Sequence, residues 1–469
     1  MKKTLLFAAA VLALAACSKE SLVKEDGVID ASKIVFNIQV ENADAQATKG
    51  IKTAWENGDV VYVFFEDNTT QYVKMTYNGT SWSYADKDGG NTFTGLALTA
   101  SGKKLSAVYM PDYVCSSAPE YNDTDKWTFG NVEGFFQIAE SVEYSVTSTS
   151  DVATLSATIS LAAPGNLIQI CIPSTVVAAP GSGNEYVLNG THIIPFTFYG
   201  IDPGGNAIQG NTGPGLPMKA YSCTIGSDTG YYFWGILECA GTYDFDFQLV
   251  KRNTEKKYAI SSYSKSVTGK TVPEHFAVKL TGLTDNGNFV SLGYEGGPLW
   301  ATGNLDATNK TIVDPLEAGE YFMYGKTTPY NTSNAAYSGT ENPLSTDNDA
   351  AYQANNAWRI PTKAQFNALI NGSNTSRTWE SGWTNIGEKK GGRLITSKVN
   401  GISLFLASTG SYQGGAFVYA GEAGTYWSST PYETDPGKDY AYFLNCGDGY
   451  YYTHYTTRFL GFPIRPVKN

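Results

Sequence analysis

Little in this chain suits metal or hydrolytic chemistry. Its 469 residues include three histidines, His192, His275 and His454, which stand in three separate stretches. Neither the HExxH pattern of zinc hydrolases nor the GxSxG nucleophile turn occurs. The six cysteines form no CxxC pair, so a structural zinc site is not expected. Calcium takes about six to eight oxygen ligands, and acids as scattered as Asp347 and Asp349 do not make such a set. No metal and no cofactor is therefore expected. Gly319 to Thr327 looks like a phosphate loop, but five residues rather than four separate Gly319 from Gly325-Lys326-Thr327. Basic charge is scarce as well. A formal net charge of -11 disfavours nucleic acid and anionic lipid surfaces as partners.

Helix signals are also scarce, whereas Gly, Ser, Thr, Asn and Tyr are abundant, which predicts a mainly β protein. One amphipathic helix is expected after Pro361, where Thr362 and Gln365 form a capping box. Phe366, Leu369 and Ile370 then repeat at helical spacing, and Asn371-Gly372 supplies a stop. Trp358 and Arg359, just before it, are expected in a core, the guanidinium ion-paired or bonded to backbone.

Strand patterns fill the rest. Ile34, Phe36, Ile38 and Val40 alternate with polar or exposed-type positions, the mark of a strand with one buried face. Val60 to Phe65 and Leu167 to Ile172 are apolar runs of buried-strand length, and Tyr243, Phe245, Phe247 and Leu249 alternate with Asp244, Asp246 and Gln248. Asn78-Gly79 predicts a two-residue hairpin turn. Cys171, Cys223 and Cys239 lie in apolar stretches and are expected to be buried thiols. Pro203 to Pro217 is expected as a solvent-exposed loop, Ala162-Ala163-Pro164-Gly165 as a boundary, and Thr284-Asp285-Asn286-Gly287-Asn288 as a linker. At roughly 150 residues per domain, the length suggests three.

The start of the chain carries Lys2-Lys3, an apolar run from Leu5 to Ala13 too short to span a bilayer, and Leu14-Ala15-Ala16-Cys17. This resembles a bacterial lipoprotein signal, residues 1–17, which implies that Cys17 becomes the acylated N-terminus. Ser18-Lys19-Glu20 looks like the tag that directs lipoproteins of Bacteroidetes to the outer face of the outer membrane. Residues 18–30 are polar and aperiodic, as a tether would be.

The exported leader, the apolar first strand, a loop with Lys49 and Lys52, and the turn Thr53-Ala54-Trp55-Glu56-Asn57-Gly58-Asp59 together resemble the fimbrillin family of Bacteroidetes pilins. The resemblance implies two tandem β-sandwich domains, residues 31–163 and 164–284. It further implies that a trypsin-like protease, cutting after Lys49 or Lys52, frees the first strand so that another pilus subunit's donor strand takes its groove. Burying Ile34, Phe36, Ile38 and Val40 at about 1.5 to 3 kcal/mol each gives an upper estimate near 6 to 12 kcal/mol for docking that strand. Once cut it loses its tethered effective concentration, and a competitor can enter. A strand that stays as a permanent part of the sheet is the alternative.

In the last third, Leu299-Trp300-Ala301-Thr302-Gly303-Asn304, Gly319-Glu320-Tyr321-Phe322-Met323-Tyr324-Gly325, Trp358-Arg359-Ile360-Pro361-Thr362, Gly424-Thr425-Tyr426-Trp427-Ser428-Ser429-Thr430 and Gly461-Phe462-Pro463-Ile464-Arg465-Pro466-Val467 follow in order. The set resembles the Fibrobacter-succinogenes-major-type domain, a relative of the C-type-lectin and formylglycine-generating-enzyme fold. It implies an α+β, C-type-lectin-like domain at residues 289–469. Only Cys446 lies there, whereas the related enzymes need a reactive cysteine pair. The sugar motif of calcium-dependent lectins has no clear counterpart, since Glu341-Asn342-Pro343 is in the wrong order.

Ligand candidates are Tyr450, Tyr451, Tyr452, His454 and Tyr455. Alternation leaves either Tyr450, Tyr452 and His454 or Tyr451 and Tyr455 outward, unless the strand packs against Trp427. The expectation is a non-enzymatic cell-surface pilus component, at the tip or adhesive. Its partners are other pilus subunits by donor-strand exchange, a glycan or extracellular protein, and the outer membrane through the lipid anchor. The tip role follows from Ile464-Arg465-Pro466-Val467 closing its own domain, with only Lys468 and Asn469 after it. A non-polymerising surface lipoprotein with the same ligand site is the alternative, and an enzyme on the formylglycine-generating-enzyme-like fold a third.

Overall fold

A computed structural model describes residues 28–30, 34–42, 55–66, 68–84, 95–97, 103–109, 120–122, 126–128, 137–149, 152–162, 166–201, 207–211, 216–225, 227–273, 276–330, 344–433 and 439–468. Cys17, Lys49 and Lys52 lie outside these residues. The architecture is mainly β.

The first module is two facing sheets. Five antiparallel strands run in the order Gln137–Glu143, Lys104–Tyr109, Val60–Phe65, Asn68–Tyr77, Trp82–Tyr84, and three more in the order Ser145–Ser148, Ala153–Leu161, Ile34–Asn42. Between them lie Val61, Val63, Val73 and Met75 from one sheet and Leu155, Ile159 and Leu161 from the other, all buried. The Trp-x-x-Gly-Asp turn locks one end. Gly58 takes φ +97°, the Asp59 carboxylate accepts from Glu56 N at 2.6 Å and from the Tyr109 hydroxyl at 3.2 Å, and Trp55 meets Trp82 and Tyr109 edge-on at 5.1 Å.

Among the described residues the Ile34–Asn42 strand stands at the end of its sheet, paired in parallel with Ala153–Leu161. Val35, Asn37 and Gln39 are exposed. Ile34, Phe36, Ile38 and Val40 occupy the register positions of Ala153, Leu155, Ala157 and Ile159, which belong to the buried core. The hairpin at Asn78 differs from expectation. Tyr77 pairs Trp82, so four residues turn rather than two, because the Asn78 side chain accepts from the backbone N–H of Thr80 and Ser81.

The second module is a larger pair of sheets. One runs Phe276–Lys279, Asn166–Pro173, Asp228–Leu237, Ile194–Ile201, Lys126–Thr128, Glu120–Asn122; the other runs Met218–Lys219, Asn184–Gly190, Gly241–Asn253, Ala259–Val272, Thr284–Gly287. Phe245, Phe247 and Leu249 point into the shared core against Ile168, Ile170 and Phe233, as their alternation requires. Asn166–Pro173 is covered on both faces.

Three expectations for this module are corrected. Pro203 to Pro217 contains a strand, Ala207–Asn211, antiparallel to Ile194–Ile201. The linker is itself a strand, Thr284–Gly287, whose buried Asn286 donates to Ser262 Oγ at 3.0 Å. Cys171 is buried, but Cys223 is half-buried and Cys239 exposed, since Cys239 sits in the turn before Gly241–Asn253.

The third module is built of short sheets and two short helices. The helix Lys363–Leu369 has the expected capping box, with Thr362 and Gln365 exchanging both bonds, and it buries Phe366 and Leu369. Trp358 is buried, and the Arg359 guanidinium donates to the carbonyls of Asn356 and Trp358, each at 2.7 Å. The sequence motifs meet in this core. The Trp427 indole donates to Phe322 O at 2.7 Å, the Trp300 indole to the Tyr294 hydroxyl at 2.8 Å, and fully buried Arg465 to the carbonyls of Phe405 at 2.9 Å and Ala301 at 3.3 Å. Val467–Lys468 pairs Leu299–Ala301, so the closing strand is spent inside its own module.

The second and third modules are joined over a shared core. Val187, Val250 and Ala259 of one pack with Val290, Leu292 and Trp300 of the other. Gln248 exchanges two hydrogen bonds with the Ser291 backbone, at 3.0 and 2.6 Å, and the Thr302 hydroxyl donates to Ile260 O at 2.8 Å.

Candidate ligand-binding site

Three antiparallel strands, Ala423–Pro431, Tyr440–Gly447 and Tyr450–Thr457, form one sheet in that order. Asp448-Gly449 turns the last two, with Gly449 at φ +82°, so that Gly447 pairs Tyr450. The middle strand is nailed to the core through Ala441, Leu444 and Cys446. The outer strand has a neighbour on one edge only among the described residues.

Register fixes the two faces of that strand. Tyr451, Thr453 and Tyr455 stand beside Cys446, Leu444 and Tyr442; Tyr450, Tyr452 and His454 stand beside Gly447, Asn445 and Phe443. Alternation was expected to hide one set, yet both are open. Tyr450, Tyr451, Tyr452 and Tyr455 keep 40, 39, 44 and 38% of their surface, and His454 is exposed. The helix Lys363–Leu369 meets the strand at its centre, where Thr453 Oγ1 donates to Asn367 Oδ1 at 2.8 Å. Packing against Trp427 does not occur, since Trp427 is enclosed by Tyr324, Phe443 and Phe462.

The five candidates are brought together with partners that the linear pattern did not reveal. Tyr455 stacks on Tyr432 at 3.9 Å and on His454 at 4.7 Å, with Tyr440 and Tyr442 edge-on to it. The hydrogen bond to Tyr432 raises the Tyr455 phenol above its ordinary pKa. Tyr450 lies 5.8 Å from Tyr452, whose hydroxyl accepts from Asn445 Nδ2 at 3.1 Å, and burial raises the Tyr450 phenol. On the other face the Arg377 guanidinium covers Tyr451 at 4.2 Å, and Lys363 sits 3.7 Å over Tyr442. The site is thus a ridge of rings and hydroxyls flanked by cations. Tyr432 and Tyr442 could have been found only from the strand register.

The Cys446 thiol is buried, donates to Gly424 O at 3.4 Å, and is pushed up to about 12 by burial, so it is protonated at neutral pH. Asp349 is a buried helix cap, accepting from the N–H groups of Ala351, Tyr352 and Ile360. No group of three or more His, Cys, Asp or Glu able to hold a metal occurs among the described residues.

No family model matches the chain, and no curated protein matches it. Among solved structures it is similar to a fimbrial protein from Bacteroides ovatus, at 10% identity over 93% of this chain and 99% of that one, TM-score 0.22. It is also similar to the fimbrial anchor protein Mfa2 from Porphyromonas gingivalis, at 10% identity over 54% and 95%, TM-score 0.25. A third is a protein from Bacteroides fragilis whose description proposes cell adhesion, at 10% identity over 55% and 98%, TM-score 0.29. At such identities and TM-scores no residue's role is carried across.

Proposed function

We propose that this chain is a cell-surface pilus component, at the tip or as an adhesive subunit, that grips an extracellular glycan or protein through the Tyr450–Thr457 strand. The observation that carries the reading is that strand: an outer edge with exposed aromatic rings on both faces, held on a rigid neighbour. Rings bearing hydroxyls give large contact area at low side-chain entropy cost, which suits sugars and protein surfaces alike.

The front of the chain supports the pilus part. The Ile34–Asn42 strand is a terminal strand in register with a row of core residues, the arrangement that cutting at Lys49 or Lys52 and donor-strand exchange would require. Acylation at Cys17 would hold the precursor at the outer membrane. Pairing of Val467–Lys468 within its own module supports a subunit that accepts a strand without offering that one.

An array of glycans and extracellular-matrix proteins probed with the full chain tests the ligand half. Binding that disappears in the Tyr452→Ala, Tyr455→Ala double variant supports it, and a blank array overturns it. N-terminal sequencing of surface-extracted protein tests the other half: a start at Gly50 or Thr53 supports assembly, whereas a persistent acylated Cys17 indicates an anchored, non-polymerising form.

A further inference from the structure

A second recess lies far from the tyrosine strand, between the second and third modules. Its origin can be followed along the strands. On the outer face of the sheet holding Asn184–Gly190, Gly241–Asn253 and Ala259–Val272, the row nearest the third module is apolar, with Val187 registered on Val250. The third module covers that row. Two residues further along each strand the outward row becomes Asn189, Gln248 and Ser264, and beyond it Asp246 and Ser266. Beside the Gln248–Ser291 contact the third module leaves a cleft of about 780 Å³, walled on its far side by Ser291, Leu299, Val399 and Asn400.

The chemistry of the walls is specific. The Asn189 side chain lines the inner wall. Asp246 accepts from Ser266 Oγ at 2.6 Å and, as a carboxylate, keeps further acceptor sites. Asn286 and Asn400 add amides, and Ser264 and Thr191 hydroxyls. Leu216 and Val399, each 48% exposed, give the mouth an apolar rim. Among the described residues the lining includes two acids, Glu238 and Asp246, one histidine, His192, and no lysine or arginine. An anionic ligand would meet repulsion from the acids without a permanent counter-charge. A ligand that donates and accepts at many points, carries no charge and offers C–H surface to the rim is a neutral saccharide, and the volume falls in the range of small-molecule sites.

We propose that this intermodule cleft is a binding site for a neutral oligosaccharide, separate from the Tyr450–Thr457 strand. Saturation-transfer NMR on the full chain carrying Tyr452→Ala and Tyr455→Ala, so that the tyrosine strand contributes no signal, with maltotriose, cellotriose, mannotriose, xylotriose and trigalacturonic acid as probes, tests it. At least one neutral trisaccharide is expected to receive saturation and the acidic one none. Val399→Trp and Ser266→Trp, which fill the cleft from opposite modules, are each expected to abolish the signal. Asn189→Ala is expected to weaken affinity about two- to tenfold. Silence from all four neutral probes overturns the proposal, as does stronger binding of trigalacturonic acid or a signal that survives in whichever filling variant remains folded.

Discussion

Two strands of this molecule occupy the same topological position and are made of opposite material. Ile34–Asn42 and Tyr450–Thr457 each end a three-stranded sheet. The first lies parallel to a strand whose Ala153, Leu155, Ala157 and Ile159 are all buried, and it keeps Val35, Asn37 and Gln39 outward. The second is one arm of a hairpin, with aromatic rings open on both faces. A period of two sets one row of an edge strand in register with core residues; an unbroken aromatic run makes both rows a surface. The difference lies in what stands behind each strand. A full sheet faces the first, whereas the second meets a short helix at its middle and the guanidinium of Arg377 at Tyr451.

Removing residues 34–42 should have the largest effect. The first module would lose the strand registered on its core and fall below the roughly 5 kcal/mol that keeps a small domain folded. Calorimetry should show its transition vanish, and a synthetic peptide of residues 34–42 should restore it. An unchanged transition would mean that the first strand is as dispensable to folding as the last.

Gly303→Ala comes next, because it attacks the packing of the third module against Val313. An added Cβ would stand 1.8 Å from Val313 O, inside backbone that cannot yield cheaply. A loss of about 1 to 3 kcal/mol is expected for the third module in urea titration. Replacing Tyr452 and Tyr455 together by alanine should move stability by only about 0.5 kcal/mol. It should also weaken ligand capture by about tenfold or more, as loss of clustered aromatic anchors does. A larger stability loss would make the strand a structural member.

The smallest effects concern thiols. Cys239 should be alkylated in the native protein, and Cys171 and Cys446 spared, as peptide mass spectrometry would show. Folding raises the Cys446 pKa from 9.0 to about 12, so the folded state holds that proton more tightly than the unfolded one. The associated stability is complete below pH 9 and is lost as pH rises toward 12. A Cys446→Ala variant should show a shallower alkaline decline than the parent chain.

Local grammar carried much of the fold. The capping box at Thr362 and Gln365, the alternation of Phe245, Phe247 and Leu249, and the one-faced strand at Ile34 each specify their own conformation through neighbours in sequence. Trp300, Trp427 and Arg465 were conspicuous as motif residues because large side chains that must be fully buried and hydrogen-bonded tolerate few substitutes. Less local matters were hidden. Asn78 stretched its turn by capping backbone N–H groups, and Thr284–Gly287 looked like a linker because Asp, Asn and Gly favour turns. Exposure of both tyrosine faces depends on which elements meet the strand. The intermodule cleft was invisible, since Asn189 and Asn400 are brought near each other only by the docking of two modules.

That docking also sets how a pull is transmitted. Tension applied at Tyr450–Thr457 passes through the hairpin into the core of the third module, then across the paired bonds of Gln248 with Ser291 and of Thr302 with Ile260 into the second. The segment between them is a sheet strand rather than slack chain, so these bonds are loaded together instead of one after another. A load taken up by the tyrosine strand would therefore be felt at the second module as through a stiff lever, with strain arriving before any chain pays out.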